Sequence, residues 1–440
     1  MKYGTIASAA LIMALGATLG ACNSNEPAPI ETGFGPSPDL PKPTDKVLPT
    51  VNVATAKAWT GDSRPTPAAG LAVNQFAADL DHPRWLYQLP NGDVLVAETN
   101  GPPRPEDGDG IRSFFMKRVM KKAGAGVPSA NRISLLRDAD GDGVAETHTT
   151  YLSGLNSPFG MTLVGDTLYI ADTDAIVTVP YVEGETTTTA TPEQFFALPA
   201  GEINHHWTKN VVASPDGTKL YASVGSNSNV AENGIEAEEG RAAIWEIDIA
   251  SREGRVFAKG LRNPVGMDID PATGTLFTVV NERDELGNNL VPDYLTSVKD
   301  GAFYGWPYSY YGQTVDTRVE PQKPDLVASA IAPDYALGSH TASLGLDLTS
   351  GSTGAMATHF GEGAFIGQHG SWNRKPRSGY KVIFVPFANG MPSGEPTTVL
   401  DDFMTDDTAH GRPVGVLLDQ SGSLLVADDV GNRIWRVTAQ

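Results

Sequence analysis

Cysteine is all but missing from this chain: Cys22 is the only one in 440 residues. No disulfide can therefore form within it. Long apolar runs are missing too, since the stretch 9–19 is too short to span a bilayer. Basic residues are scarce, with 32 Lys and Arg against 52 Asp and Glu and a formal charge of −20. That balance argues against a nucleic-acid partner, because phosphate binding needs a basic surface. Helical signals are few. The pattern is β nearly throughout, with period-two alternation in 244–249 and 381–387. In so acidic a chain the local clusters of positive charge stand out, at 112–122, around Arg262, at Arg374, Lys375 and Arg377, and at Arg412.

The N-terminus reads as a processing segment. Lys2 supplies the positive start, 9–19 the apolar stretch, and Leu19-Gly20-Ala21 the small-residue site before Cys22. A lone Cys directly after such a triplet is expected to carry lipid, which would anchor the chain to a membrane. An ordinary secretory signal with an incidental Cys22 is the alternative. Either way the mature chain is expected in a bacterial cell envelope or beyond, lipid-anchored at the periplasmic or outer-membrane face. Residues 23–70 are rich in Pro, Thr, Ala and acid without a clear apolar period, and are expected to be a disordered tether. Residues 71–440 then form one large domain.

Within that domain one pattern recurs six times: an apolar run, a Gly-containing turn, and a second β-rich run. The turns fall at Asn91-Gly92-Asp93, Gly165-Asp166, Pro215-Asp216-Gly217, Ala272-Thr273-Gly274, Gly361-Glu362-Gly363 and Ser421-Gly422-Ser423. Their spacing suits one four-stranded blade each, so the expected fold is all-β, a six-bladed β-propeller. Blade-like segments run roughly 70–135, 136–185, 195–250, 255–310, 330–390 and 395–440. Insertions at 101–130, 225–241 and 284–330 interrupt them, and long loops on a rigid scaffold often carry function.

Three local patterns could carry chemistry. Asp138, Asp140 and Asp142 alternate around a tight Gly turn, with Glu146 beyond, as hard divalent cations require. Position twelve of an EF-hand loop would be Thr149, so this reads as a structural calcium loop between strands; the alternative is a solvated acidic turn. His205 and His206 precede a strand, and adjacent side chains alternate, so one of them is expected to face the axis as a base. Arg262 and Asn263, fixed by Pro264 and flanked by glycines, could present a cation and an amide to an anionic or carbonyl-bearing ligand. A surface ion pair of Arg262 would look similar.

Several longer motifs occur in order: Gly260-Leu261-Arg262-Asn263-Pro264, Asn281-Glu282-Arg283-Asp284-Glu285-Leu286-Gly287, and Phe303-Tyr304-Gly305-Trp306-Pro307. Gln368-His369-Gly370-Ser371-Trp372-Asn373-Arg374, Gly411-Arg412-Pro413-Val414-Gly415 and Asn131-Arg132-Ile133 join them. Across about 75–440 the chain resembles the soluble PQQ-dependent sugar dehydrogenases, most nearly their sorbosone or pyranose dehydrogenase branch. The resemblance implies pyrroloquinoline quinone near the axis with a calcium ion on the quinone. It implies His206 as base, because that residue stands nine before Pro215 of a Pro-Asp-Gly turn. It implies Arg262 and Asn263 at the cofactor, Arg262 steadying negative charge on the quinone oxygen. Arg374, Lys375, Arg377, Arg412 and Arg132 are implied as holders of the cofactor.

The family's Gly-Pro calcium segment is absent here, so Asp284 or Glu285 is expected to serve the quinone-bound calcium. The implied reaction is hydride transfer from an aldose or sugar aldehyde, with electrons leaving to a cytochrome or membrane quinone. Two other readings stay open. One is a calcium-dependent lactonase or esterase using Asn156, Asn204 and Asn263, and the other a non-catalytic binding propeller.

Overall fold

The structure, a computed structural model, describes residues 28–44, 50–103, 118, 119 and 121–440. The processing segment and Cys22 lie outside these residues, as does most of the basic stretch 112–122. The expected all-β class holds. Among the described residues, six antiparallel sheets of four or more strands follow one another along the chain. The first sheet is Pro83–Gln88, Val94–Glu98, Arg132–Arg137 and Thr147–Ser153. The second is Met161–Val164, Thr167–Ala171, Ala175–Pro180 and Glu193–Ala197. The third is Val211–Ala213, Lys219–Val224, Ala243–Asp248 and Gly254–Lys259. The fourth is Pro264–Ile269, Leu276–Val280, Pro292–Ser297 and Tyr335–Ser339, with Phe34–Gly35 on its edge. The fifth is Ser343–Leu348, Gly363–Gln368, Lys381–Ala388 and Thr397–Asp401, edged by Thr66–Pro67. The sixth is Pro413–Leu418, Leu424–Asp428, Arg433–Ala439 and, from far upstream, Leu71–Ala77.

Every one of the six Gly turns joins the first strand of a sheet to its second. Gly92, Gly165, Gly217, Gly274, Gly361 and Gly422 all adopt positive φ, where a side chain would be strained. In the fifth sheet the turn at Gly361 ends a short helix, Ala355–Phe360, so the connection there is longer than a hairpin. The second strands are buried on both faces, and Val94–Glu98, Leu276–Val280 and Leu424–Asp428 are buried at every position. That burial explains why they read as continuous apolar runs.

Six apolar cores fill the spaces between neighbouring sheets. One of them joins Leu425, Ala427 and Ile434 of the sixth sheet to Leu86, Val94 and Val96 of the first. The first strand of each sheet lies beside that of the next, and the sixth lies beside the first.

The expected segment boundaries shift in every sheet, because each segment took in the last strand of the sheet before it: Glu193–Ala197, Gly254–Lys259, Tyr335–Ser339 and Thr397–Asp401 pair back with Ala175–Pro180, Ala243–Asp248, Pro292–Ser297 and Lys381–Ala388. Leu71–Ala77 was grouped with the first segment but pairs with Arg433–Ala439. Thr147–Ser153 was grouped with the second but pairs with Arg132–Arg137. Period and turns mark where strands are; they do not say which strand each one joins.

Residues 50–70, counted within the tether, pack against the sheets. Thr55–Ala56 pairs with Thr408–Ala409 and Thr66–Pro67 with Leu400 and Asp401. Trp59 is buried, its ring edge-on to Phe403 and Trp435, and its Nε1 donates to Asp428 Oδ2 at 2.7 Å. We expect Trp59→Ala to destabilise the protein by roughly 3–5 kcal/mol. Urea unfolding should show it as a lower midpoint, and an unchanged midpoint would contradict this packing.

Candidate functional site

Antiparallel pairing puts the start of each first strand and the end of each second strand at one end of its sheet. The residues at that end are mostly polar or small. His82, Asn210, Asn263 and Arg412 precede first strands, while Asp172, Gly225, Asn281, His369 and Asp429 follow second strands.

His206 sits in the loop ahead of the third sheet. Its Nδ1 lies 2.9 Å from both the carbonyl and the Oγ of Ser226. A carbonyl only accepts, so Nδ1 carries the hydrogen and Nε2 is the basic nitrogen. A Cβ at Gly225 would strike both His206 and Asn263 Oδ1, so these two residues meet across that glycine. The Oδ1 of Asn263 is buried and has no partner. Beneath His206, the fully buried Lys209 donates to the carbonyls of His206 at 3.2 Å and Trp207 at 3.4 Å. Burial pushes the Lys209 amine well below its ordinary pKa.

Arg262 is buried and fully engaged. It donates to the Asn229 carbonyl at 3.2 Å, to Asn229 Oδ1 at 2.9 Å and to the Glu282 carbonyl at 2.8 Å. Asp284 lies 3.7 Å from Arg262 Nη2 and 3.3 Å from His340 Nδ1, and accepts from Asn373 Nδ2 at 2.7 Å. Burial pushes its carboxyl up, but His340 and Arg262 outweigh this and hold the pKa at about 2. Glu282 next door is raised to about 7 by burial. Glu285 is exposed, and only its carbonyl is engaged, by Arg318.

A second cluster gathers around Asp429. Its Oδ2 accepts from Arg84 Nη1 at 2.6 Å and lies 2.9 Å from His369 Nε2 and 3.5 Å from His82 Nε2. Burial pulls upward, yet His369, His82 and Arg84 hold this carboxyl well below the usual range. Arg84 lies over the ring of Trp207, 5.8 Å from its centroid, which ties this cluster to the His206 loop. Arg412 meets only neutral oxygens, Tyr380 Oη at 3.1 Å and the Gly370 carbonyl at 3.5 Å, and stacks on the Tyr380 ring. The Nε atoms of Arg84 and Arg412 are buried without partners.

The other expected cofactor cations have different tasks. Arg374 donates to the carbonyls of Asn288, Pro376 and Ala28. Arg377 donates to Asn52 and Val53 and pairs with Asp407, so both arginines fasten the N-terminal segment. Lys375 is exposed. Arg132 is bidentate to Glu98 and also meets Asp81. Two of the three asparagines of the lactonase reading are engaged as well, Asn156 with Asp174 and Asn204 with Thr173 and Arg241, while Asn263 keeps its unpartnered Oδ1.

In the loop between Arg132–Arg137 and Thr147–Ser153, Asp138, Asp140, Asp142 and Glu146 bring ligand oxygens within 4.8 Å of one another. Among the described residues this is the one place where three or more acid, His or Cys side chains converge so.

His82, Arg84, Asp429 and Ser226 were not singled out from the sequence. A signal for Asp429 was available: most second runs end at polar residues, such as Gln368-His369 and Asp428-Asp429. His369 has its pKa pushed down to about 4 from an ordinary 6.5, burial outweighing the pull of Asp429. Between those values the unfolded chain binds a proton here that the folded chain refuses. The residue's contribution to stability therefore falls as pH drops from about 6.5 to about 4. The excess Tm of the wild type over His369→Gln should shrink across that window, and a constant difference would count against a buried neutral ring.

A family model of TrAA12-like proteins matches residues 123–300 and 315–440. A protein of Borreliella burgdorferi, described as uncharacterized, is 28% identical over 299 residues, or 66% of this chain and 77% of its own length. The pyrroloquinoline quinone-dependent pyranose dehydrogenase of Coprinopsis cinerea is 26% identical over 293 residues, covering 52% of this chain and only 39% of that enzyme. The holo PQQ domain of the Coprinopsis pyranose dehydrogenase superposes with a TM-score of 0.66 at 20% identity, covering 88% of this chain and all of that one. The calcium structure of a Trichoderma reesei family AA12 enzyme gives 0.68 at 18% identity, covering 89% of this chain and 99% of that one. At such identities these structures speak to the fold. The family model spans well over half of the sequence, and the chain belongs to the TrAA12-like family, among the soluble PQQ sugar dehydrogenase-like proteins.

Proposed function

We propose that the six sheets are the blades of a six-bladed β-propeller, and that this protein oxidises an aldose or sugar aldehyde with PQQ. One observation carries the reading. At a single end of the sheets, an imidazole with a basic Nε2 adjoins the unpartnered Asn263 Oδ1, and the half-buried Arg84 and buried Arg412 each keep a buried Nε without a partner. A flat quinone bearing three carboxylates and a ring N–H suits that set, since guanidinium fits carboxylate and the amide oxygen of Asn263 can accept from the N–H. Arg412, Arg84 and Asn263 would hold the cofactor.

When bound, PQQ supplies the two-electron acceptor for hydride. The protein's own work is positional and electrostatic. His206 Nε2 removes the hydroxyl proton of the substrate, and Trp207 and Arg84 wall the site beside it. Arg262, held by Asn229 and Glu282, contributes fixed positive charge that favours negative charge developing nearby. Asp284, ionised near neutral pH, is the carboxylate available to a cofactor-bound calcium. Electrons would pass to a cytochrome or membrane quinone, and lipid on Cys22 would keep the protein at the cell envelope.

Calcium at Asp138, Asp140, Asp142 and Glu146 would be structural. Ala145 N donates to the Phe76 carbonyl at 2.8 Å and Asn74 Nδ2 to the Gly143 carbonyl at 2.8 Å. This loop thus fastens Leu71–Ala77, the strand that completes the sixth sheet. Chelation should lower Tm by several degrees, and Asp138→Asn with Asp140→Asn should abolish that response. A Tm indifferent to chelator and calcium would rule the ion out.

Titrating the protein with PQQ and calcium should change the quinone absorption and yield dye-linked sugar oxidation. If neither responds, the proposed activity is wrong. His206→Ala should cut turnover about 10²–10⁴-fold while leaving PQQ binding largely intact.

A further inference from the structure

A base must present an unprotonated nitrogen, and a neutral imidazole has two tautomers from which to choose. At His206 the choice is made by Ser226. The Ser226 carbonyl accepts and cannot donate. The Ser226 Oγ donates its one hydrogen to the Ser228 carbonyl at 2.6 Å, so it too faces His206 as an acceptor. Both oxygens lie 2.9 Å from Nδ1, and both therefore demand a hydrogen there.

The turn that aims Ser226 is held in its own right. Glu238, from the short 3-10 helix Ile235–Glu238 in the acidic insertion, is buried beneath it. One carboxylate oxygen accepts from Asn227 N at 2.6 Å and the other from Ser228 Oγ. Asn227 in turn donates to the Ile203 carbonyl at 2.6 Å and accepts from Asn233 at 2.7 Å. Arg241, just past the helix, donates to the Gly225 carbonyl at 3.2 Å and to Asn204 Oδ1 at 2.9 Å. The insertion thus grips both the loop that carries His206 and the loop that carries Ser226. A carboxylate is rarely buried unless its hydrogen bonds are satisfied, and the bonds that the Glu238 carboxylate accepts from Asn227 N and Ser228 Oγ both come from this turn.

We propose that Glu238, acting through Ser228 and Ser226, is a positioning residue that locks His206 in the Nδ1–H tautomer and so keeps Nε2 as the base. This rests on the reading of His206 as the proton acceptor. Glu238 itself touches neither substrate nor cofactor.

Nitrogen-15 NMR of histidine-labelled full chain, without PQQ, tests it directly, His206 being assigned by its loss in His206→Gln. The wild type should give one tautomer, hydrogen on Nδ1. Glu238→Ala should give a mixture of tautomers, with kcat about tenfold lower and KM nearly unchanged. Glu238→Gln keeps one acceptor oxygen and should recover part of that loss. A hydrogen on Nε2 in the wild type would overturn the proposal, as would His206 signals unaltered in Glu238→Ala. Should that variant not fold, the wild-type spectrum decides together with Ser228→Ala, which removes the hydroxyl that Glu238 holds and should likewise give a mixture of tautomers. The spectrum needs no cofactor, so a protein inactive on sugars that still shows the Nδ1–H tautomer would sink the oxidoreductase reading and leave this one standing.

Discussion

The seam between neighbouring first strands governs the molecule. Those strands pack side by side around the six sheets, and a backbone N–H turned toward the next sheet needs a partner there. Each seam supplies a partner from across it. Leu163 N donates to Tyr87 Oη, Gly160 N to the Lys209 carbonyl, and Asn210 Nδ2 to the Val265 carbonyl. Leu348 N donates to Asp268, Leu418 N to Asp347 and Gln420 N to Gln88. Asp268 and Asp347 are themselves raised by burial, Asp268 to about 6. Each seam also has an apolar core, so rotating one sheet would break polar and apolar contacts together. This rigidity holds residues far apart in sequence at fixed mutual distances, as a preorganised site requires.

Charge at the candidate site runs against the charge of the chain. A protein of net charge −20 buries Arg262 and Arg412 and half-buries Arg84 at one end of its sheets. Burying a cation is costly unless it is paired, and the pairing is incomplete. Arg84 shares Asp429 with two histidines, Arg262 meets mostly carbonyls with Asp284 at longer range, and Arg412 stacks on a tyrosine. Arg374 and Arg377 give the contrast, since their donors are used in fastening the N-terminal segment. Sites that hold anions are built with donors left over, which separates Arg84 and Arg412 from the purely structural arginines.

Legibility followed sequence distance. The six turns could be read because each needs a Gly at positive φ between two β runs, a demand met within a few residues. That His206 and Asn263 stand together at one end of the sheets could be expected, because each lies in a short motif at a strand entrance. The pairing of Asp429 could not, because its partner Arg84 lies 345 residues upstream and nothing local to either records it. The pairing of Leu71–Ala77 with the last strand escaped for the same reason. Trp59 was hidden differently, as a single aromatic in a stretch whose Pro, Thr and acid content gave no period. Composition describes what a segment can do alone; here the sheets provide the partner.

The buried lysine beneath the His206 loop completes the chemical logic. A cation a few ångströms away would disfavour the imidazolium that forms when the ring takes a proton. Lys209 sits directly beneath the ring's loop, yet burial drives its amine toward the uncharged form, with Arg241 nearby adding to that pressure. An amine in that state still donates hydrogen bonds and still fixes the carbonyls of His206 and Trp207. It therefore gives the loop its shape while placing less charge beside the imidazole than an ordinary lysine would. A permanently charged arginine at this position could hold the carbonyls equally well and would weaken the base, so a lysine is the residue type that meets both demands.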